Sequence, residues 1–269
     1  QTFQVGGGGA VGFDGSNIWV QYGNNVIKVN ACNGSVLGTY PVGTWPMAFA
    51  FDGANVWVAN SGSGNVTELN ASTGALVGTY PVASQPDSLA FDGTNIWVSS
   101  ASSATVTKLL ASNGTVLGTY PVAGYPQSII FDGANIWTIL SSGSAVMMRS
   151  SDGAVLGTYT VGYNPEGIAF DGANIWVANY DGTVTELRAS DGSSIGTYTL
   201  GGIANGIVFD GANIWVVDCY KNEVFKLRPS DGTVLDTYSA GTWPGSIAFD
   251  GANIWVTNGQ GLMKIPDLP

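Results

Sequence analysis

Apolar positions along the chain fall in short runs, each cut by a cluster of Gly, Asp, Asn and Ser, and this pattern repeats. The repeat is anchored by the triplet Phe-Asp-Gly at Phe13, Phe51, Phe91, Phe131, Phe170, Phe209 and Phe249, spaced 38 to 40 residues apart. A Trp follows six residues after each Phe, at Trp19, Trp57, Trp97, Trp137, Trp176, Trp215 and Trp255. Six units then carry Thr-Tyr, ending at Tyr40, Tyr80, Tyr120, Tyr159, Tyr198 and Tyr238. Each unit predicts four strands. Strand a is an apolar run ending at Phe, as in Gly167 to Phe170. Asp-Gly-Ala-Asn is a turn, because Gly tolerates positive φ and Asp bonds the turn backbone. Strand b, Ile-Trp-Val-Ala, is rich in β formers. A variable Gly/Ser loop follows, then strand c, as in Thr183 to Arg188. Strand d follows an Ala-Ser-x-Gly turn, as in Thr115 to Tyr120. Short strands at regular spacing with turn signals predict an all-β fold. A tandem four-stranded unit of about 40 residues predicts a β-propeller.

The two ends fix the number of blades. The last unit has strand a (Ser246 to Phe249), strand b (Ile254 to Thr257) and strand c (Leu262 to Ile265), but no strand d. Thr2-Phe3-Gln4-Val5 stands where Thr-Tyr-Pro-Val stands in other units. The N-terminal strand is therefore expected to pair with strand c of the last unit, covering an edge that would otherwise invite aggregation. The expectation is one domain over residues 1–269, a seven-bladed propeller of four-stranded blades closed by its N-terminal strand.

The unit Gly167 to Asn179, Gly-Ile-Ala-Phe-Asp-Gly-Ala-Asn-Ile-Trp-Val-Ala-Asn, resembles the YVTN-type propeller repeats of prokaryotic secreted and surface proteins. It is also similar to the propellers of streptogramin lyases (virginiamycin B lyases). The resemblance spans essentially the whole chain and implies the same fold. The lyases it resembles use a catalytic His beside a Mg²⁺ site. This sequence contains no His, so no lyase residue carries over.

Composition narrows the chemistry. With 45% apolar residues a sizeable core is available, while only 10% are charged. The formal net charge is −11 and only eight residues are basic. That is too few to line a nucleic-acid groove, and it disfavours anionic membranes. No apolar stretch is long enough to insert in a bilayer. The chain starts at Gln1 rather than Met, as expected of a processed or trimmed N-terminus. With its Thr/Ser/Asn/Gly-rich make-up, this predicts a secreted or cell-surface protein. The lack of His removes Ser-His-Asp and Cys-His catalysis and the commonest ligand for zinc, copper and iron. Cys32, in a c–d turn, and Cys219, in a b–c loop, are expected on opposite faces as free thiols. Gly6 to Gly9 lacks the Lys-Ser/Thr of a phosphate loop and reads as a flexible link. The strand-b Trp residues recur in every unit and are assigned to inter-blade packing, and the Asp of each Phe-Asp-Gly to the turn. Lys28, Glu68, Lys108, Met148, Glu186, Lys226 and Lys264 on strand c are expected to face outward. The sequons at Asn33, Asn65, Asn70 and Asn113 read as accidents of an Asn/Ser/Thr-rich repeat.

Function is expected where the units break their own pattern. Four residues before each Phe stand Gly9, Met47, Asp87, Gln127, Glu166, Asn205 and Gly245, and the residue after each is small. Four consecutive blades thus bring oxygen-bearing side chains to the start of strand a, near the central channel. This arc suits Ca²⁺, with Asp87 and Glu166 as ligands, or the hydroxyls of a polar ligand. Six residues before each Phe stand Gly7, Trp45, Gln85, Tyr125, Asn164, Ile203 and Trp243. The aromatics here, with Tyr163, Tyr180 and Tyr220 nearby, are either stacking platforms for a ligand or wedges sealing adjacent blades.

The sequence therefore predicts a non-catalytic, secreted or cell-surface binding module for a polar ligand, a glycan or a protein. Its contacts would be Trp45, Gln85, Asp87, Tyr125, Gln127, Glu166, Asn205 and Trp243. One alternative is a cation-dependent lyase or lactonase-like hydrolase, with Glu166 as acid/base and Asp87 on the metal. Another is a structural element of a surface layer or filament.

Overall fold

The computed structural model describes residues 1–5 and 9–266. The Gly6–Gly8 part of the N-terminal link, Gly7 included, lies outside the described residues. The chain forms seven antiparallel sheets of four strands each, with no helix among the described residues. In six blades the strands follow sequence order a-b-c-d, as in blade 5: Pro165–Phe170, Asn174–Asn179, Thr183–Arg188 and Ser194–Thr199. Strands a of successive blades pack against one another round the ring, including those of the first and last blades (Val11–Phe13 and Ile247–Phe249).

The seventh blade takes its outer strand from the N-terminus. Thr2–Phe3 pairs with Gly261–Pro266, and Phe3 stands opposite Leu262 as Tyr40 stands opposite Val26 in blade 1. The Gln1 amino group donates to the Lys264 carbonyl at 2.9 Å, and the Lys264 amide donates to Gln1 at 2.8 Å. The Phe3 ring lies 5.6 Å from Trp255, matching the Trp–Tyr ring contacts of the other six blades. Phe lacks the hydroxyl that in five other blades fills the space beside a strand-d Gly, such as Gly38, so blade 7 can carry Gln1 at that place.

Each strand-b Trp is fully buried. Burying an indole leaves an N–H that needs a partner, and the Asp of Phe-Asp-Gly supplies it. Trp Nε1 donates to that Asp in all seven blades at 2.5–2.8 Å. The other Asp oxygen caps the turn: Asp171 Oδ1 accepts from the amides of Ala173 and Asn174 at 2.8 and 2.7 Å. One carboxylate thus links the a–b turn to the blade core. The strand-d ring seals the next blade by lying on its c–d turn. Gly74 has φ +73°, and a Cβ there would fall 1.9 Å from the Tyr40 ring, so only Gly fits.

The strand-c charges do not face outward. Lys28, Glu68, Lys108, Glu186 and Lys226 are buried, and Lys264 is half-buried. In blade 4 the residue opposite Trp137 is Met147, not Met148. Alternation along a strand signals exposure only when one sheet face is free. A propeller blade has a neighbour on both faces, so both sides of strand c are covered. The lysines satisfy their charge between blades. Lys28 Nζ donates to the Ala71 carbonyl at 2.6 Å, Lys108 Nζ to Ser150 at 2.7 Å and Lys264 Nζ to Ala31 at 2.9 Å. Lys28, Lys108, Lys226 and Lys264 lie 5.0–5.6 Å from the ring centres of their own blades' Trp residues. In blades 2 and 5 the charge is reversed: the hydroxyls of Tyr80 and Tyr198 donate to Glu68 and Glu186 at 2.7 Å. Burial and the adjoining carboxylate push both phenols up to about 12.

Candidate functional site

The antiparallel meander places the d–a and b–c loops on one face and the a–b and c–d turns on the other. Strand a begins on the first of these faces, and in blades 2 to 5 it begins with Pro (Pro46, Pro86, Pro126 and Pro165). Its pairing with strand b shifts register between Pro46 and Ala48, Pro86 and Ser88, Pro126 and Ser128, and Pro165 and Gly167. The skipped residues are Met47, Asp87, Gln127 and Glu166. A bulge of this kind releases one residue from the ladder and re-aims its side chain. In blade 6 the shift falls between Ala204 and Ile207 and spans Asn205.

These residues meet at the mouth of the central channel. A cavity of about 640 Å³ opens there, lined by Asp87, Gln127, Glu166 and Asn205, with Trp45 and Met47 alongside. Small residues let the strands converge. At Gly167 a Cβ would sit 2.3 Å from the Asn205 carbonyl, and at Gly206 it would sit 2.8 Å from that of Gly245. Of the eight residues the sequence singles out, the cavity wall holds Trp45, Asp87, Gln127, Glu166 and Asn205. Gln85, Tyr125 and Trp243 stand on the same face outside it. The Gln85 side-chain carbonyl accepts from the Ser102 hydroxyl.

The loop aromatics are not wedges. Trp45, Tyr125 and Trp243 are 69%, 61% and 76% exposed. Tyr22, Tyr163, Tyr180 and Tyr220 are exposed too, and all seven lie on the loop face that holds the mouth. No exposed aromatic lies on the opposite face among the described residues. Trp45, Gln85, Asn164 and Trp243 also hold left-handed φ values of 45–56°, each directly before a Pro. Bulky residues rarely adopt this conformation. Backbone bonds hold it in place, such as Ser61 N to the Trp45 carbonyl at 2.9 Å and Ala101 N to that of Gln85 at 2.9 Å.

The mouth is electrostatically one-sided. Asp87 and Glu166 are half-buried, and no Lys or Arg lines the cavity. Asp87 Oδ1 accepts from the Ser61 hydroxyl at 3.1 Å, and Glu166 Oε1 from the Asn164 amide. Burial outweighs these neutral donors and raises both carboxyls above their ordinary range. A raised carboxyl binds its proton more tightly in the folded than in the unfolded chain, so its ionisation lowers stability as pH climbs through the folded value. Glu166→Gln is therefore expected to melt higher than the parent at pH 7, on the order of 2 °C, and at the same temperature as the parent at pH 4. Paired melting curves check this.

Among the described residues, no three Asp, Glu, Cys or His side chains converge on a point that could hold a metal. Asp87 and Glu166 belong to blades 3 and 5, with Gln127 of blade 4 between them. Cys219, expected as a free thiol in a b–c loop, stands beside the mouth, a place the sequence analysis did not assign to it. Burial, with the charges of Asp218 and Glu166, pushes its thiol up, against a smaller lowering from neighbouring Asn205. The a–b pairing of blade 6, with Ala204 opposite Asp218, places Cys219 beside Asn205. Cys32 and Cys219 are both free, on opposite faces.

No curated protein matches the chain. Among solved structures, a chain of Kuenenia stuttgartiensis hydrazine synthase superposes with a TM-score of 0.87 at 18% identity, over 99% of this chain and 97% of that one. At that identity the likeness is one of fold. The family model described as outer membrane protein assembly factor BamB matches residues 14–238. The chain belongs to this BamB family of β-propellers.

Proposed function

We propose that the chain is a non-catalytic binding module, secreted or held at a cell surface, whose working face carries the d–a and b–c loops. The observation that carries this reading is the gathering of every exposed aromatic of the described residues on that face, around a polar mouth. Aromatic anchors beside polar groups on loops of a rigid scaffold suit recognition. The ligand is a polar molecule, a glycan or a protein segment. The family's description as an assembly factor favours a protein. The YVTN-type and lyase-like character of the repeats extends to the scaffold and not to lyase chemistry, since the chain has no His.

Glycan and peptide arrays probed with the parent and with Trp45→Ala/Trp243→Ala test this reading. Hits on the parent that fall at least about tenfold in the variant are expected, as for hot-spot aromatics. Arrays that stay blank, or hits indifferent to both substitutions, would remove it.

One observation favours the structural alternative. The outer strands d begin with exposed aliphatic residues, including Val36 and Leu37, Leu76 and Val77, and Val116 and Leu117, forming a collar round the ring. Sedimentation separates the two readings. A monomer belongs to the binding module, and an open-ended polymer to the surface element.

A further inference from the structure

Resting on the binding-face reading, we propose that the channel mouth is a receptor for a protonated amine or guanidinium, the head of a lysine or arginine side chain on a partner segment. The head group enters between Asp87 and Glu166, and the flanking residues of the segment cross the aromatic loops. Of the chain's own eight cations, Lys28, Lys108 and Lys264 are committed to carbonyls of the next blade, and buried Lys226 lies over Trp215 of its own blade. Arg149, Arg188 and Arg228 pair with Asp152, Asp191 and Asp231 on the opposite face. Lys221 alone belongs to the loop face, and its Nζ donates to the Leu200 carbonyl at 2.8 Å, 5.4 Å from the Phe225 ring centre. The chain therefore brings no cation of its own to the two mouth carboxylates.

Those carboxylates also retain acceptor capacity. Asp87 and Glu166 each take a single neutral side-chain donor, and an ionised carboxylate accepts about four bonds. A third carboxylate adds to the field behind the Asn205 side of the mouth. Asp218 is 1% exposed, and its Oδ1 accepts the amides of Ile203, Tyr220 and Lys221 at 3.2, 2.9 and 2.8 Å. Its buried Oδ2 has no hydrogen-bond partner among the described residues, but it is turned to Gly202 and Asp218 does not line the cavity, so it contributes charge and not a contact. Asp218 and Glu166 both raise the Cys219 thiol through their charge, with burial the larger cause.

The geometry selects among cations. Ca²⁺ takes six to eight oxygen ligands at short range, and no three carboxylate or thiol groups converge among the described residues. An ammonium needs three acceptors and a guanidinium offers five donors, which the side-chain oxygens of Asp87, Gln127, Glu166 and Asn205 can share. The cavity of about 640 Å³ takes a long basic side chain with its water, and its wall includes Trp45. The net charge of −11 draws such a group in from solution.

The test uses the full chain and three peptides, acetyl-Gly-Gly-Lys-Gly-Gly-amide and its arginine and norleucine counterparts, titrated by NMR in about 0.15 M salt so that long-range charge effects are screened. Saturable binding of the lysine or arginine peptide and none of the norleucine peptide is expected. The stronger of the two identifies the head group. Asp87→Asn/Glu166→Gln should weaken this binding at least about tenfold, as expected for a charge-assisted contact. Asp152→Asn/Asp231→Asn changes the net charge equally on the opposite face and should leave it unchanged. Equal weakening by both variants, absence of saturable binding, or saturable CaCl₂ binding lost in Asp87→Asn/Glu166→Gln would each overturn the proposal. Array hits that depend on Trp45 and Trp243 would then leave the binding face standing without its cationic ligand.

Discussion

A chain lacking Gln1–Val5 is expected to melt on the order of 10 °C below the parent and to self-associate with rising concentration. Three losses combine. The Phe3 ring leaves both Trp255, 5.6 Å away, and the c–d turn of blade 1, where it lies against Gly34. Val5, 6% exposed, leaves the core between the last and first blades. Large-to-small changes at such sites cost about 2–5 kcal/mol, and each kcal/mol moves the midpoint by about 2–4 °C in a domain of this size. Strand c of blade 7, with buried Leu262 and Ile265, becomes an open edge. Phe3→Ala alone isolates the ring contacts and should cost about 2–4 kcal/mol. Calorimetry and sedimentation at two concentrations check both effects. A truncated chain that melts with the parent and stays monomeric would mean that the ring does not rely on its first strand.

Trp176→Ala is expected to destabilise by about 3–5 kcal/mol, whereas Trp45→Ala and Trp243→Ala should each stay within about 0.5 kcal/mol of the parent. The contrast follows from position alone. Trp176 is fully buried, stacks on Tyr198 at 5.6 Å and donates to Asp171 at 2.8 Å. Its removal leaves a cavity and takes a donor from Asp171. Trp176→Phe keeps most of the packing and loses the indole N–H, so it should fall between, at about 1–3 kcal/mol. Urea denaturation of the four variants gives the order directly. A large loss at Trp45 or Trp243 would return those residues to a structural role and empty the face of its anchors.

The fold was legible because its signals are local and repeated. Phe-Asp-Gly followed by Trp marks the a–b turn, and the structure shows why: one Asp serves both the turn amides and the indole. The closure was legible because Phe3 replaces Tyr in register. The arc of Asp87, Gln127, Glu166 and Asn205 was legible as a break in the repeat, and the cavity brings these residues together. What could not be read is what depends on neighbouring blades. Lys108 has the alternation of an exposed residue, yet its Nζ reaches the Ser150 carbonyl one blade away. The bulges that release Asp87 and Glu166 from the ladder leave no separate mark in the sequence.

A closed sevenfold ring turns the side chains of four blades toward one mouth. Amide hydrogen exchange at Lys264 addresses it directly. That amide donates to Gln1 at 2.8 Å, across the junction between the two chain ends. Exchange as slow as that of strand-c amides bonded to strand d in the other blades is the predicted result. Exchange at the rate of an unpaired edge would contradict the closure, and with it the single mouth.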